Sequence, residues 1–178
     1  VDANCQIDLA HALAMAPFLK QNRIEWLEEP LFPPEHSQGW AQLRAEGVKI
    51  AAGENFCTLE GFQPFLPLLD YVQPSVTKIG GIGETVRVIN HAKMNAVEVQ
   101  LHCPYFGPGL IASYHMAAAL IENPLIEILW IDMEANPFDP WVRSVDGKIS
   151  VPTGAGLGVE PDLDCLNRYR IGETTRIC

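Results

Sequence analysis

Three acidic residues, Asp2, Glu28 and Glu54, recur every 26 residues, and short apolar runs lead into the second and third. Three carboxylates brought to one point would converge on a metal ion, because hard divalent cations take charged oxygen ligands. The interval continues in a second series, in which Ser75, His102 and Glu127 follow at steps of 21, 27 and 25 residues, each after an apolar or alternating stretch. Histidine both accepts and donates protons near neutral pH, so an imidazole beside such an ion is a candidate acid/base. Taken alone, a strand-end histidine is more often a hydrogen-bonded structural residue.

The interval dictates the elements that must carry these residues. A parallel strand, a crossover helix and two connections consume roughly 25 to 30 residues, so a residue recurring at that period marks the same end of successive strands. Such a series fits an α/β fold of the (β/α) barrel type, where chemistry collects at the C-terminal ends of the strands. Helical spacing is seen over residues 8–21, with Asp8 as N-cap and Pro17 as a potential kink, then over 37–45, 84–94 and 110–121. Short strands are predicted at 24–27, 48–52, 71–73 and 97–101, with the apolar run 126–131 following in the same series. A short helix interrupted by Pro64 and Pro67 spans 61–69. From Lys148 onward the chain reads as an extended segment and a loop containing Gly154, Gly156 and Gly158, which no helical pattern follows, so it is no dinucleotide fingerprint.

Composition bounds the function. A chain of 178 residues with 48% hydrophobic and 19% charged residues can bury a core and is not disordered. A net charge of −10 argues against nucleic acid and against an anionic membrane surface as partners. No apolar run reaches transmembrane length and no basic leader is present, so a cytoplasmic protein is expected. Five widely spaced cysteines without a CxxC pair predict reduced, mostly buried thiols. His11, His36, His91 and His115 show no ligand spacing, and Phe138, Trp130 and Trp141 read as core or interface aromatics.

Five segments carry a more specific likeness: Val1-Asp2-Ala3-Asn4, Trp26-Leu27-Glu28-Glu29-Pro30, Ala52-Gly53-Glu54-Asn55, Lys78-Ile79-Gly80-Gly81 and Gly156-Leu157-Gly158-Val159-Glu160. In order and spacing, together they resemble the C-terminal barrel domain of the mandelate racemase branch of the enolase superfamily. The resemblance implies strands 3 to 8 of that family's barrel over residues 1–145. It also implies an extended tail over 146–178 that packs on a capping domain outside this sequence, as are the first two strands and their Lys-x-Lys segment.

The same resemblance implies Mg²⁺ held by Asp2, Glu28 and Glu54, with open positions for a substrate carboxylate. The metal would stabilise the enediolate formed when the α-proton is removed. It further implies His102 as the base and Glu127 as a protonated glutamate against the substrate carboxylate, with Asn4 and Ser75 as substrate contacts and Glu29 behind the metal ligands. A small-molecule carboxylate, foremost a sugar acid undergoing dehydration, is the expected substrate, and a homo-oligomer the expected full-length state. Racemisation, epimerisation and lactone cycloisomerisation share the intermediate. Ser75 departs from the pattern, since the branch places there an aspartate that orients the histidine. A neutral hydroxyl can orient an imidazole but cannot offset an imidazolium charge. A barrel piece that binds metal without chemistry is the alternative that Ser75 and the unseen strands leave open.

Overall fold

The computed structural model describes residues 1–172, and Cys178 lies outside the described residues. Four short strands, β1 (Leu27–Glu28), β2 (Ile50–Ala52), β3 (Tyr71–Val72) and β4 (Glu98–Val99), form one parallel sheet in chain order. Helices α1 (Leu9–Gln21), α2 (Ser37–Ala45), α3 (Leu59–Phe62), α4 (Ile82–Met94) and α5 (Pro108–Leu120) alternate with them, as successive crossovers require. The result is an open arc of an α/β barrel.

Local chemistry accounts for the element boundaries. The Asp8 carboxylate accepts from the His11 N–H and starts α1, which runs through the exposed Pro17 to Gln21 and buries Ala12, Ala16 and Leu19. His36 caps α2 in the same way through Nδ1, accepting from the Gly39 N–H at 3.1 Å. The prolines at 64 and 67 divide the predicted 61–69 helix into α3 and a 3₁₀ turn at Leu66–Leu68.

The register separates two faces of the sheet. Leu27 pairs with Ile50, Ala52 with Val72 and Val72 with Val99, and all five belong to the main core with Trp40, Leu43 and Ile89 from the helices. On the other face Glu28, Ala51, Tyr71 and Glu98 form one row across the sheet. A bridge joins Asp2 to Glu28 and adds Asp2 to that row. The helices therefore seal one face apolar and leave the opposite face free to carry charge.

The segment over 1–7 pairs through single bridges, Asp2 with Glu28 and Ile7 with Leu31. Two expectations are corrected. The run 126–131 forms no strand, and the contacts at it and just before it run through side chains of Gln100 and Glu127. The Leu125 N–H donates to Gln100 Oε1 at 2.8 Å, and the Cys103 N–H to Glu127 Oε2 at 3.3 Å. Ile128, Leu129, Trp130 and Ile131 are exposed, so of the two roles expected for Trp130, core or interface, the first is excluded. The tail contains a six-residue helix, α6 (Leu163–Arg168), that buries no side chain and so left no apolar period to read. Ahead of α6, Ile149, Val151, Leu157 and Val159 pack on a second core around Ile111 and Tyr114. His115 Nε2 stands 2.9 Å from the Leu157 carbonyl and ties tail to α5. Among the described residues, no helix is long and apolar enough to cross a membrane.

Candidate active site

Glu28 closes β1, Glu54 lies two residues beyond β2, and His102 lies three beyond β4. The ligand atoms of these three side chains all lie within 4.8 Å of one another. Parallel strands in register place their ends side by side, so residues far apart in sequence meet there without any local motif.

Glu54 is the electrostatic centre. Its Oε2 lies 2.8 Å from His102 Nδ1 and its Oε1 3.0 Å from Lys78 Nζ. His102 foremost, then Lys78, outweigh the cost of burial and hold this carboxyl down at about 2. The Nδ1 approach is close but lacks hydrogen-bond alignment, and Nδ1 is a buried atom with no hydrogen-bond partner among the described residues. Glu127 Oε2 faces the same nitrogen at 3.5 Å. Burial, partly countered by His102, raises the Glu127 carboxyl, the direction a protonated hydrogen-bond donor requires. Glu28 Oε2 accepts from Trp26 Nε1 at 2.9 Å, which fixes one oxygen and leaves the other without a hydrogen bond among the described residues. Trp26 stands two residues before Glu28, so strand alternation puts both on one face.

Asp2 and Asn4 are not brought into this cluster. Asp2 is exposed and its Oδ1 accepts from the Asn4 N–H at 2.7 Å, although its backbone bridge to Glu28 sets it beside a cluster member. Asn4 has φ +44°, so it lies in a left-handed turn and does not share a strand face with Asp2. Ser75 is fully buried and meets Tyr105 and Thr77. Tyr105, three residues past His102, carried no signal in the sequence. Lys78 touches a candidate metal ligand, Glu54.

Glu29 supports the cluster from behind. Its buried Oε1 accepts from the Gly53 N–H at 2.8 Å, and Cys5 Sγ lies 3.4 Å from its Oε2. Burial raises its carboxyl from 4.5. Above pH 4.5 the native state therefore holds a proton that the unfolded chain has lost, so this group's contribution to stability declines as pH rises. Glu54 acts oppositely: its contribution is present above 4.5 and is lost as pH falls toward about 2. In metal-free buffer, urea unfolding from pH 4 to 8 should show Glu29→Gln gaining on the parent as pH rises. A constant difference would contradict it.

Gly53 joins β2 to Glu54 at φ +122°, and a Cβ there would stand 2.5 Å from Phe62 Cε1. Gly53→Ala should cost about 1–3 kcal/mol, from backbone strain and displacement of a buried ring, read from the denaturation midpoint. Of the four described cysteines only Cys103 is buried, which corrects the expectation of mostly buried thiols, and burial pushes its thiol up to about 12.

The donor set suits a divalent cation. Two carboxylates converge on one point, beside a buried ring nitrogen that lacks a hydrogen-bond partner among the described residues. Glu28 and Glu54 would hold the ion, and Asp2 is bridged to Glu28 through its backbone.

Residues 1–165 match the model of the family described as Enolase C-terminal domain-like. The chain is 28% identical over 184 residues to D-galactarolactone cycloisomerase of Agrobacterium fabrum, covering 96% of this chain and 48% of that protein. With D-xylonate dehydratase of Haloferax volcanii it shares 27% identity, covering 92% and 41%. Among solved structures, a mandelate racemase/muconate lactonizing enzyme from Bordetella bronchiseptica superposes with a TM-score of 0.84 at 30% identity, covering 94% of this chain and 48% of that one. An enolase from Pantoea ananatis with bound d-gluconate and Mg gives 0.80 at 26%, covering 96% and 42%. The chain spans about half the length of the curated relatives it matches.

Proposed function

Because the chain belongs to the Enolase C-terminal domain-like family, we propose that it forms the metal-binding, proton-abstracting part of a sugar-acid dehydratase. The observation that carries this reading is the convergence of Glu28, Glu54 and His102 within 4.8 Å at the strand ends. Mg²⁺, when bound, would stabilise the negative charge that develops on the substrate carboxylate as its α-proton leaves.

Each protein group then has a task. Glu28 and Glu54, with Asp2 turned inward, hold the cation, and Trp26 fixes the rotamer of Glu28 through its indole N–H. His102 takes the α-proton. The imidazolium so formed faces the ionised Glu54 at 2.8 Å, which stabilises its charge where Ser75 cannot. Glu127, kept toward its protonated form, donates to a substrate carboxylate oxygen. His102 returns its proton to the departing β-hydroxyl, which leaves as water, and the product is an enol that becomes a keto acid. Asn4 and the tail beyond residue 145 are assigned to substrate contact and to the capping domain of such an enzyme.

Cycloisomerisation is the second reading, favoured by the likeness to D-galactarolactone cycloisomerase. Incubation of the full-length protein with Mg²⁺ and a panel of aldonic and aldaric acids, with their lactones, separates the two. Dehydration yields a keto acid, whereas cycloisomerisation consumes only lactones without release of water. A protein that binds Mg²⁺ and turns over neither set would be the non-catalytic barrel.

A further inference from the structure

The position that pairs with the base is occupied by Ser75, whose buried hydroxyl has two partners. Thr77 Oγ1 lies 3.2 Å away, and the second partner is the Tyr105 hydroxyl. Tyr105 arrives from the loop after His102 and stands T-shaped to that imidazole, with ring centroids 5.9 Å apart and planes at 83°. Its backbone is held on both sides. The Tyr105 N–H donates to the Cys103 carbonyl at 2.7 Å, and Asn136 Nδ2 donates to the Phe106 carbonyl at 2.9 Å. Thr77 is also locked, because its methyl occupies the space over Gly109, where a Cβ would stand 2.3 Å away.

We propose that Tyr105 is the positioning residue for His102, and that Ser75 acts through it by anchoring its hydroxyl. The inference rests on His102 being the proton-transfer group. Ser75 does not address the imidazole by charge; it fixes a ring whose packing fixes the imidazole plane. A T-shaped neighbour favours one ring orientation over others, and a hydroxyl tether at the far end of the tyrosine makes that neighbour rigid. This gives the neutral Ser75 a task that a carboxylate at the same place would perform by direct contact.

Tyr105→Phe keeps the ring and removes the tether, while Ser75→Ala removes the other end without adding volume. In full-length protein labelled with ¹³C at histidine Cε1, the His102 signal is identified by its loss in His102→Asn. Both single variants should displace that signal alike, and the double variant should displace it no further. Turnover should fall about tenfold in each, the effect of one hydrogen bond, with KM unchanged. An unmoved signal in Tyr105→Phe, or additive displacements in the double variant, would overturn the proposal. Should Ser75→Ala not fold, Tyr105→Phe decides alone, by whether the signal moves. The spectroscopic arm reads the tether whether or not the protein turns over, whereas failure of the proton-abstraction reading shows as an unmodified protein that exchanges no α-proton.

Discussion

Glu54→Gln should weaken Mg²⁺ binding by at least about 100-fold, measured by calorimetric titration of the full-length protein. Glu54 stands between the Lys78 ammonium at 3.0 Å and the His102 imidazole at 2.8 Å, and its carboxyl is held at about 2, so it is fully ionised at neutral pH. Glutamine removes that charge and leaves the Lys78 ammonium without its counter-ion, which disfavours a further cation at the same point. Two companion variants assign the third ligand. Asp2→Asn should weaken binding although Asp2 now turns to the Asn4 N–H, because a bound ion would draw its carboxylate inward. His102→Asn should leave Mg²⁺ affinity within a few-fold, since Mg²⁺ prefers oxygen to imidazole. The reverse pattern would make His102 a ligand and would remove it from proton transfer.

His102→Asn should also lower turnover by about 10²- to 10⁴-fold, the usual contribution of a general base, with substrate KM changed little. Asparagine retains a polar group of similar reach but cannot carry a proton. The geometry makes the loss specific to chemistry, because the imidazole Nδ1 has no hydrogen-bond partner among the described residues. If His102→Asn raised KM and spared kcat, His102 would be a substrate contact.

Much of this was legible in the residue intervals. Each period spans one strand and one helix, so Glu28, Glu54 and His102 could be placed at strand ends before any contact was known. The helices over residues 37–45 and 84–94 were legible from their apolar faces, buried at Trp40 and Leu43 and at Val88, Ile89 and Ala92. What failed depended on information that a one-dimensional pattern lacks. The 126–131 run has strand composition, but pairing is settled by neighbours distant in sequence, and here side chains of Gln100 and the Cys103 backbone meet it. The left-handed turn at Asn4 broke the alternation that would have aligned Asn4 with Asp2. Tyr105 was silent because its role arises from Ser75, 30 residues earlier, and from nothing in its own segment.

The account stands most directly on exchange of a substrate α-proton. With full-length protein, Mg²⁺ and a sugar acid in deuterated water, deuterium should enter the α-position or the keto-acid product. Chelation of the metal should abolish this, and restored Mg²⁺ should recover it. Exchange that persisted undiminished without the metal, or its absence from every acid tested despite bound Mg²⁺, would contradict the assignment of Glu28, Glu54 and His102 as one proton-abstracting site.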